Sequence, residues 1–143
     1  MYKKIVVGTD GSATAGTALD HAVGLAKATG AVVHIVNAYK SATALSAIGP
    51  DFVAPDREVM EEDACRICEE AAQTARAAGL EAVTHTAEGD PADALVRIAE
   101  EENADLIVVG NRGMMGARRF LTGSVPNRVA HHCPCHLLVV HTT

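Results

Sequence analysis

KKIVVGTDGSATAGTALDHAVGLAKATGAVVHIVNAY, residues 3–39, holds the reading on which the fold turns. Residues 3–9 are a short run rich in β-branched side chains, closed by Thr-Asp-Gly-Ser, the composition of a buried strand that ends in a turn. Residues 13–29 set Ala15, Leu19, Ala22, Val23 and Ala26 on one face at helical spacing, and Gly30 stops the helix. Residues 31–39 return to a β-branched apolar run. Strand, helix and strand in so short a space predict two parallel neighbours joined by a helical crossover.

The same alternation runs outward to the end of the chain. Residues 40–55 carry Ser, Gly, Pro and Asp without a clear period and are expected to be a loop. From Asp56 to Ala78 the chain is rich in Ala and Glu, a long helix that ends at Gly79. A third strand is predicted over 81–89. Asp90 then serves as N-cap and Pro91 opens the first turn of a helix that runs to about Glu102. ADLIVVG (104–110) is the cleanest strand, Ser124 to about His132 a short helix, and HLLVVHT (136–142) a fifth strand. Strands that read as continuous apolar runs, separated by helices, predict an α/β domain with a parallel sheet covered on both faces. No internal repeat and no second domain is visible, so the unit spans 1–143.

Composition narrows the function. The formal net charge is −6, and aromatic residues make up 3% against 48% hydrophobic, with no Trp. The core is therefore aliphatic. A basic face with stacking rings is missing, which argues against nucleic-acid binding. No apolar run approaches the roughly 18 residues of a membrane span. MYKKIVVGTDGS does not read as a signal peptide, so the expected location is the cytoplasm, where the four cysteines stay thiols or ligands rather than disulfides.

Against this acidic background, residues 108–129 hold four of the eight arginines and four of the twelve glycines, and no acidic residue. In open parallel sheets, ligands bind beyond the carboxyl ends of the strands, where strand order reverses. Two strands end there in glycine followed by polar residues: Gly8-Thr9-Asp10-Gly11-Ser12 and Gly110-Asn111-Arg112-Gly113. Such loops admit a ligand close to the backbone. A following helix N-terminus adds N–H groups aimed at an anion. Gly123-Ser124 supplies that helix start, with Ser124 as cap or phosphate donor. Arg112, Arg118 and Arg119 bring guanidinium groups suited to phosphate oxygens. No Gly-Lys pair and no G-x-G-x-x-G occurs, which removes the Walker and dinucleotide patterns. What remains is Gly110-x2-Gly113-x9-Gly123-Ser124, where the nine-residue spacer with Gly116, Arg118 and Arg119 fixes no residue. Asp10 is the one acidic residue of the two loops, suited to an Asx turn, to a cap or to ligand contact.

With this spacing, a strand-TDGS-helix start and a VPNRV-type helix before the last strand, the chain resembles the universal stress protein family from Lys4 to His141. The motif is that of the family's nucleotide-binding branch. The resemblance implies a three-layer domain, Rossmann-like and akin to the adenine nucleotide alpha hydrolases, with a five-stranded sheet of order 3-2-1-4-5. Gly8, Thr9 and Asp10 would then belong to the nucleotide site, Thr9 and Asp10 beside the adenosine part. The backbone at Ile35 would meet the adenine edge. Gly110 and Gly113 would approach the ribose and phosphates, amid Asn111, Arg112, Gly116 and Arg118. Gly123, Ser124 and Val125 would close on the phosphates. ATP is the first ligand implied, with Mg²⁺ near Asp10 and Ser124; AMP or cyclic AMP is the alternative. A protein-interaction module with contacts on 40–55 is another reading. The family implies a regulatory binder with at most slow hydrolysis, not an enzyme. It also implies a homodimer through the last strand, 136–142, which would be an exposed sheet edge.

HHCPCH (131–136) offers His131, His132, Cys133, Cys135 and His136 as potential zinc ligands, with Cys65 and Cys68 as further candidates. Cys68 lies mid-helix, about 11 residues or roughly 16 Å before the helix end, which argues against joining the two groups. Buried thiols and a polar strand entry are the expected roles, with no metal held by the protein alone. Relative to the family pattern, His136 stands in place of a proline.

Overall fold

Ile5, Val6 and Val7 are fully buried, although successive strand residues point to opposite faces. The sheet is therefore covered on both sides, as its unbroken apolar strands require. The computed structural model describes residues 1–111 and 125–142. In chain order the elements are β1 (Lys4–Gly8), α1 (Ala13–Thr29), β2 (Val32–Tyr39), α2 (Ala42–Ser46), α3 (Arg57–Ala77), β3 (Ala82–Glu88), α4 (Pro91–Glu102), β4 (Leu106–Gly110), α5 (Val125–His132) and β5 (His136–Val140). The five strands form one sheet of order β3-β2-β1-β4-β5, every pairing parallel. The expected order is thus found, and strand order reverses between β1 and β4.

Two aliphatic cores flank the sheet. On one face Ile5, Val7, Val33, Ile35, Leu106 and Val108 meet α1 and α3. On the other Val6, Val36, Ile107 and Val109 meet α4 and α5. The helices of the first face present mostly alanine, Ala15, Ala18, Ala22 and Ala26 from α1 and Ala64, Ala71, Ala72 and Ala75 from α3. Small side chains let these helices lie close to the strands.

The helix ends follow their sequence signals. Ser12 caps α1 through Oγ, which accepts from Ala15 N–H at 3.2 Å, and Gly30 ends it at φ +75°. Asp90 caps α4 by accepting from Asp93 N–H at 3.1 Å, with Pro91 in the first turn. The expected loop 40–55 departs from this agreement: it contains α2. Ser41 caps that turn by accepting from Ala44 N–H at 3.2 Å, and Leu45 alone is buried. One turn held by one apolar contact is too short to show a period.

All four cysteines are free thiols. Cys68 is fully buried on the α3 face, and burial pushes its thiol up to about 11. Cys133 and Cys135 pack against the opposite core, and burial followed by the neighbouring Cys133 pushes Cys135 up to about 12. The sheet lies between Cys68 and this pair. The mid-helix cysteine and HHCPCH are therefore kept apart, as the helix geometry suggested.

At the amino-terminal edge, the Asp105 carboxylate accepts N–H from Lys3 at 2.7 Å and from Lys4 at 2.9 Å, tying the entry of β1 to that of β4. Those two bonds hold its pKa below the usual 3.8. On acidification the unfolded chain takes up the proton first, so this contribution is present above about pH 4 and is lost as the pH falls through the lower folded value. Asp105→Ala is expected to cost about 1 kcal/mol at neutral pH, small because the group is half-exposed. The gap between denaturant melts of the two proteins should narrow as the pH falls from 7 to 3. A gap unchanged between pH 7 and pH 3 would rule this carboxylate out as the cause.

Candidate functional site

β1 and β4 lie side by side, Ile5 opposite Leu106 and Val7 opposite Val108, and each ends in glycine. Both glycine-led loops thus leave the sheet at the reversal point. Thr9 follows Gly8 and is buried, 4% exposed. Its N–H donates to Val36 O at 2.9 Å, and its Oγ1 accepts from Gly11 N–H at 3.1 Å. Asp10 makes an Asx turn, Oδ1 accepting from Ser12 N–H at 2.9 Å. Gly11 has φ +81°, and a Cβ there would lie 3.5 Å from Ile67 of α3. A larger residue would be strained in this backbone, whereas its Cβ would meet Ile67 only at ordinary contact distance.

The turn consumes its own donors. Gly11 N–H goes to Thr9, Ser12 N–H to Asp10, Ala15 N–H to the Ser12 side chain and Gly16 N–H to Ser12 O. The β1–α1 loop is thereby shaped and rigid, with few N–H groups left for an anion. Donors for phosphate are then expected from the second loop. Of that segment, Arg112, Gly113, Gly116, Arg118, Arg119, Gly123 and Ser124 lie outside the described residues. Val125 is the buried first residue of α5, followed by Pro126 in the first turn.

Gly110 is closely surrounded. A Cβ on it would come within 3.1 Å of Thr142 Cγ2 and 3.9 Å of Thr14 O. Asn111 joins the exits of β4 and β5. Its N–H donates to Val140 O at 2.8 Å, and its Oδ1 accepts from Thr142 N–H at 2.9 Å and Thr142 Oγ1 at 2.8 Å. Its side-chain oxygen is thus spent on the frame of the site. Arg128, the fourth arginine of the basic passage, pairs with Asp90 and, at 3.3 Å, with Asp93. It clamps α5 to the start of α4 rather than reaching toward the glycine loops.

Ile35 stands elsewhere than the adenine-edge role requires. It is fully buried in the core, opposite Val7 and Thr84. Val36 O accepts from Thr9, whereas Val33 N–H donates to Glu81 O, so odd-numbered residues of β2 direct their backbone groups to β3. The Ile35 backbone is committed to that ladder and presents no edge to a ligand. By the same alternation Ala38 directs its backbone toward β1, one step beyond where β1 has left the sheet. Asn37 prepares that opening. It is 6% exposed, and its Nδ2 donates to Thr9 O at 2.7 Å, taking the carbonyl that a regular ladder would offer to Ala38.

A cleft of about 360 Å³ opens at the carboxyl ends of β2 and β3, lined by Ala38, Lys40, Ser41, Ala44, Gly89, Asp90 and Pro91. Sequence reasoning missed Asn37, Ala38 and Lys40 here. The one available signal was the polar Asn37 inside the apolar run AVVHIVNAY.

The chain is similar to known proteins along its whole length. The model of the universal stress protein family matches residues 1–141. Universal stress protein YxiE of Bacillus subtilis is 33% identical over 147 residues, covering 98% of this chain and 99% of its own. Universal stress protein Rv1636 of Mycobacterium tuberculosis is 36% identical over 151 residues, covering 99% and 98%. Among solved structures, a universal stress protein in complex with cAMP matches with TM-score 0.74 at 36% identity, over 99% of this chain and 98% of that one. No helix among the described residues is long and apolar enough to cross a membrane.

Proposed function

The chain belongs to the universal stress protein family, and from that premise we propose that it is a regulatory module that binds an adenine nucleotide at the carboxyl ends of β1 and β4. The observation that carries this reading is the convergence of the Gly8–Ser12 loop and the Gly110 loop at the one point where strand order reverses. The cleft at the ends of β2 and β3 receives the base, with the Ala38 backbone as its edge in place of Ile35. The segment Gly110–Ser124 receives the phosphates. ATP is the ligand this basic, glycine-rich segment suits best, and Mg²⁺ accompanies it near Asp10 and Ser124. Asp10 is engaged in shaping the loop, which fits a binder better than a catalyst. The likeness to a universal stress protein solved with cAMP favours cyclic AMP as the second reading.

The module works as a homodimer through β5, an edge strand whose Val139 is 44% exposed.

Titration calorimetry of the purified protein with Mg-ATP and with cAMP, in separate runs, tests the reading. Saturable heat at one site per chain is expected with Mg-ATP, and weaker binding of cAMP. Tighter cAMP binding would select the second reading, and no heat with any adenine nucleotide would overturn both. Native mass spectrometry of the same sample is expected to show two chains.

A further inference from the structure

Far from the glycine loops, two histidines and a glutamate converge beneath the carboxyl end of α4. His34 on β2 and His85 on β3 project from the face that α4 covers, Val6 being opposite one and Val36 opposite the other. Their rings stack at 5.2 Å, and His34 Nδ1 lies 2.9 Å from His85 Nε2. Glu102, the last residue of α4, faces them, and one donor atom from each of the three lies within 4.8 Å of the others. The helix end is held in place: Lys4 Nζ donates to Glu102 O at 2.8 Å, and Asn103 closes the helix in the left-handed conformation at φ 54°. α4 begins at the candidate nucleotide cleft and ends here, roughly 18 Å away at 1.5 Å per residue.

We propose that His34, His85 and Glu102 form a site for a borderline divalent transition cation of the zinc type, with water completing the coordination. Two imidazoles and one carboxylate are a common catalytic zinc donor set, and the borderline softness of the imidazole nitrogens disfavours calcium or magnesium, hard ions that take oxygen cages. The spacing suits the ion. Bonds of about 2.0–2.2 Å in a tetrahedron set donor atoms roughly 3.3 Å apart, so the histidine pair parts by a few tenths of an ångström and the Glu102 oxygen, within 4.8 Å of the nitrogens, closes by up to about 1.5 Å. The nitrogen that holds the shared proton must give it to the other nitrogen of its ring, a tautomer change that releases nothing. Burial keeps both imidazoles below their usual pKa, in the neutral form a metal needs.

The pair alone is a poor core element. His34 is 3% exposed, and its Nε2 has no hydrogen-bond partner. An aliphatic residue, such as Val6 or Val36 beside it, would leave no polar atom stranded. An ion bound at His34 Nδ1 leaves that Nε2 as it is; what it adds is a clamp that joins edge strand β3, β2 and the end of α4. The site is separate from HHCPCH.

Protein without a His-tag, stripped with a chelator and dialysed, is titrated with Zn²⁺ by calorimetry, and metal content is read by mass spectrometry. One ion per chain is expected. His85→Ala should weaken binding by about 100-fold or more, beyond the about 10–100-fold that loss of an outer-shell partner costs. Glu102→Gln, at a half-buried position, should weaken it by at least about tenfold and keeps the test open if His85→Ala does not fold. Cobalt substituted for zinc should give the visible bands of a low-coordinate nitrogen and oxygen site, without sulfur charge transfer. Absence of zinc binding would overturn the proposal. So would binding that survives Glu102→Gln unchanged, or that is lost instead in Cys133→Ser and Cys135→Ser.

Discussion

Gly113→Leu and Gly123→Val are expected to abolish the calorimetric signal with Mg-ATP while leaving thermal unfolding within a few degrees of the parent protein. The turn after β1 spends the N–H groups of Gly11, Ser12, Ala15 and Gly16 on itself. An anion at the reversal point must draw its donors mainly from the Gly110–Ser124 segment. In the proposed site, glycine there would allow close backbone approach to the phosphates, and a side chain at Gly113 or Gly123 would be expected to prevent it. Losing three or four charge-assisted bonds at about 1.5–3 kcal/mol each removes about 4.5–12 kcal/mol, comparable to the whole roughly 8 kcal/mol of a micromolar complex. Stability rests elsewhere, in the two aliphatic cores flanking the sheet. Gly110→Val is the contrasting variant. Its Cβ would meet Thr142 at 3.1 Å, so it should lose binding and stability together. Unchanged heats for both Gly113→Leu and Gly123→Val would refute the site assignment.

Fold and site were legible in the sequence to different depths. LIVVG and KIVVG are buried on both faces, so their apolar runs have no gaps and parallel strands follow from composition. Gly30, Gly79 and the pair Asp90-Pro91 mark helix ends by local backbone chemistry, which needs no partner to be read. The two glycine loops were visible for the same reason. What escaped depends on register. Ile35 and Ala38 belong to one apolar run, and only the alternation of hydrogen bonds between β1 and β3 decides which of them faces the cleft. Asn111 looks like a ligand-facing residue in a polar loop, yet its oxygen meets Thr142, thirty-one residues on. The histidines show the limit most clearly. HHCPCH attracts attention because its ligand types are adjacent in sequence. His34 and His85 are fifty-one residues apart, and only the β2–β3 pairing brings them together.

Leu95→Ala is expected to be the most destabilising single truncation on a helix, costing about 3 kcal/mol within the 2–5 kcal/mol range for such changes. At about 2.1 cal/mol/K per residue, that lowers the melting temperature by roughly 10 °C. The largest fully buried side chains among the described residues are Ile5, Ile35, Leu95 and Ile107. Three of these stand on strands; Leu95 alone comes from a helix. It fills the space between α4 and Val6, Val36 and Ile107. The chain has almost no aromatic residues, and the surrounding strand residues are fixed in the sheet, so the gap is filled only in part. Leu95→Met conserves volume and should cost less than about 1.5 kcal/mol. α4 also carries Asp90, which Arg128 grips, at one end and Glu102 at the other. Loosening its middle should therefore weaken nucleotide and zinc binding together, whereas the glycine-loop variants touch only the first. Chemical denaturation of the three proteins checks the order. A loss below about 1 kcal/mol for Leu95→Ala would show that α4 is not seated on the sheet through this residue.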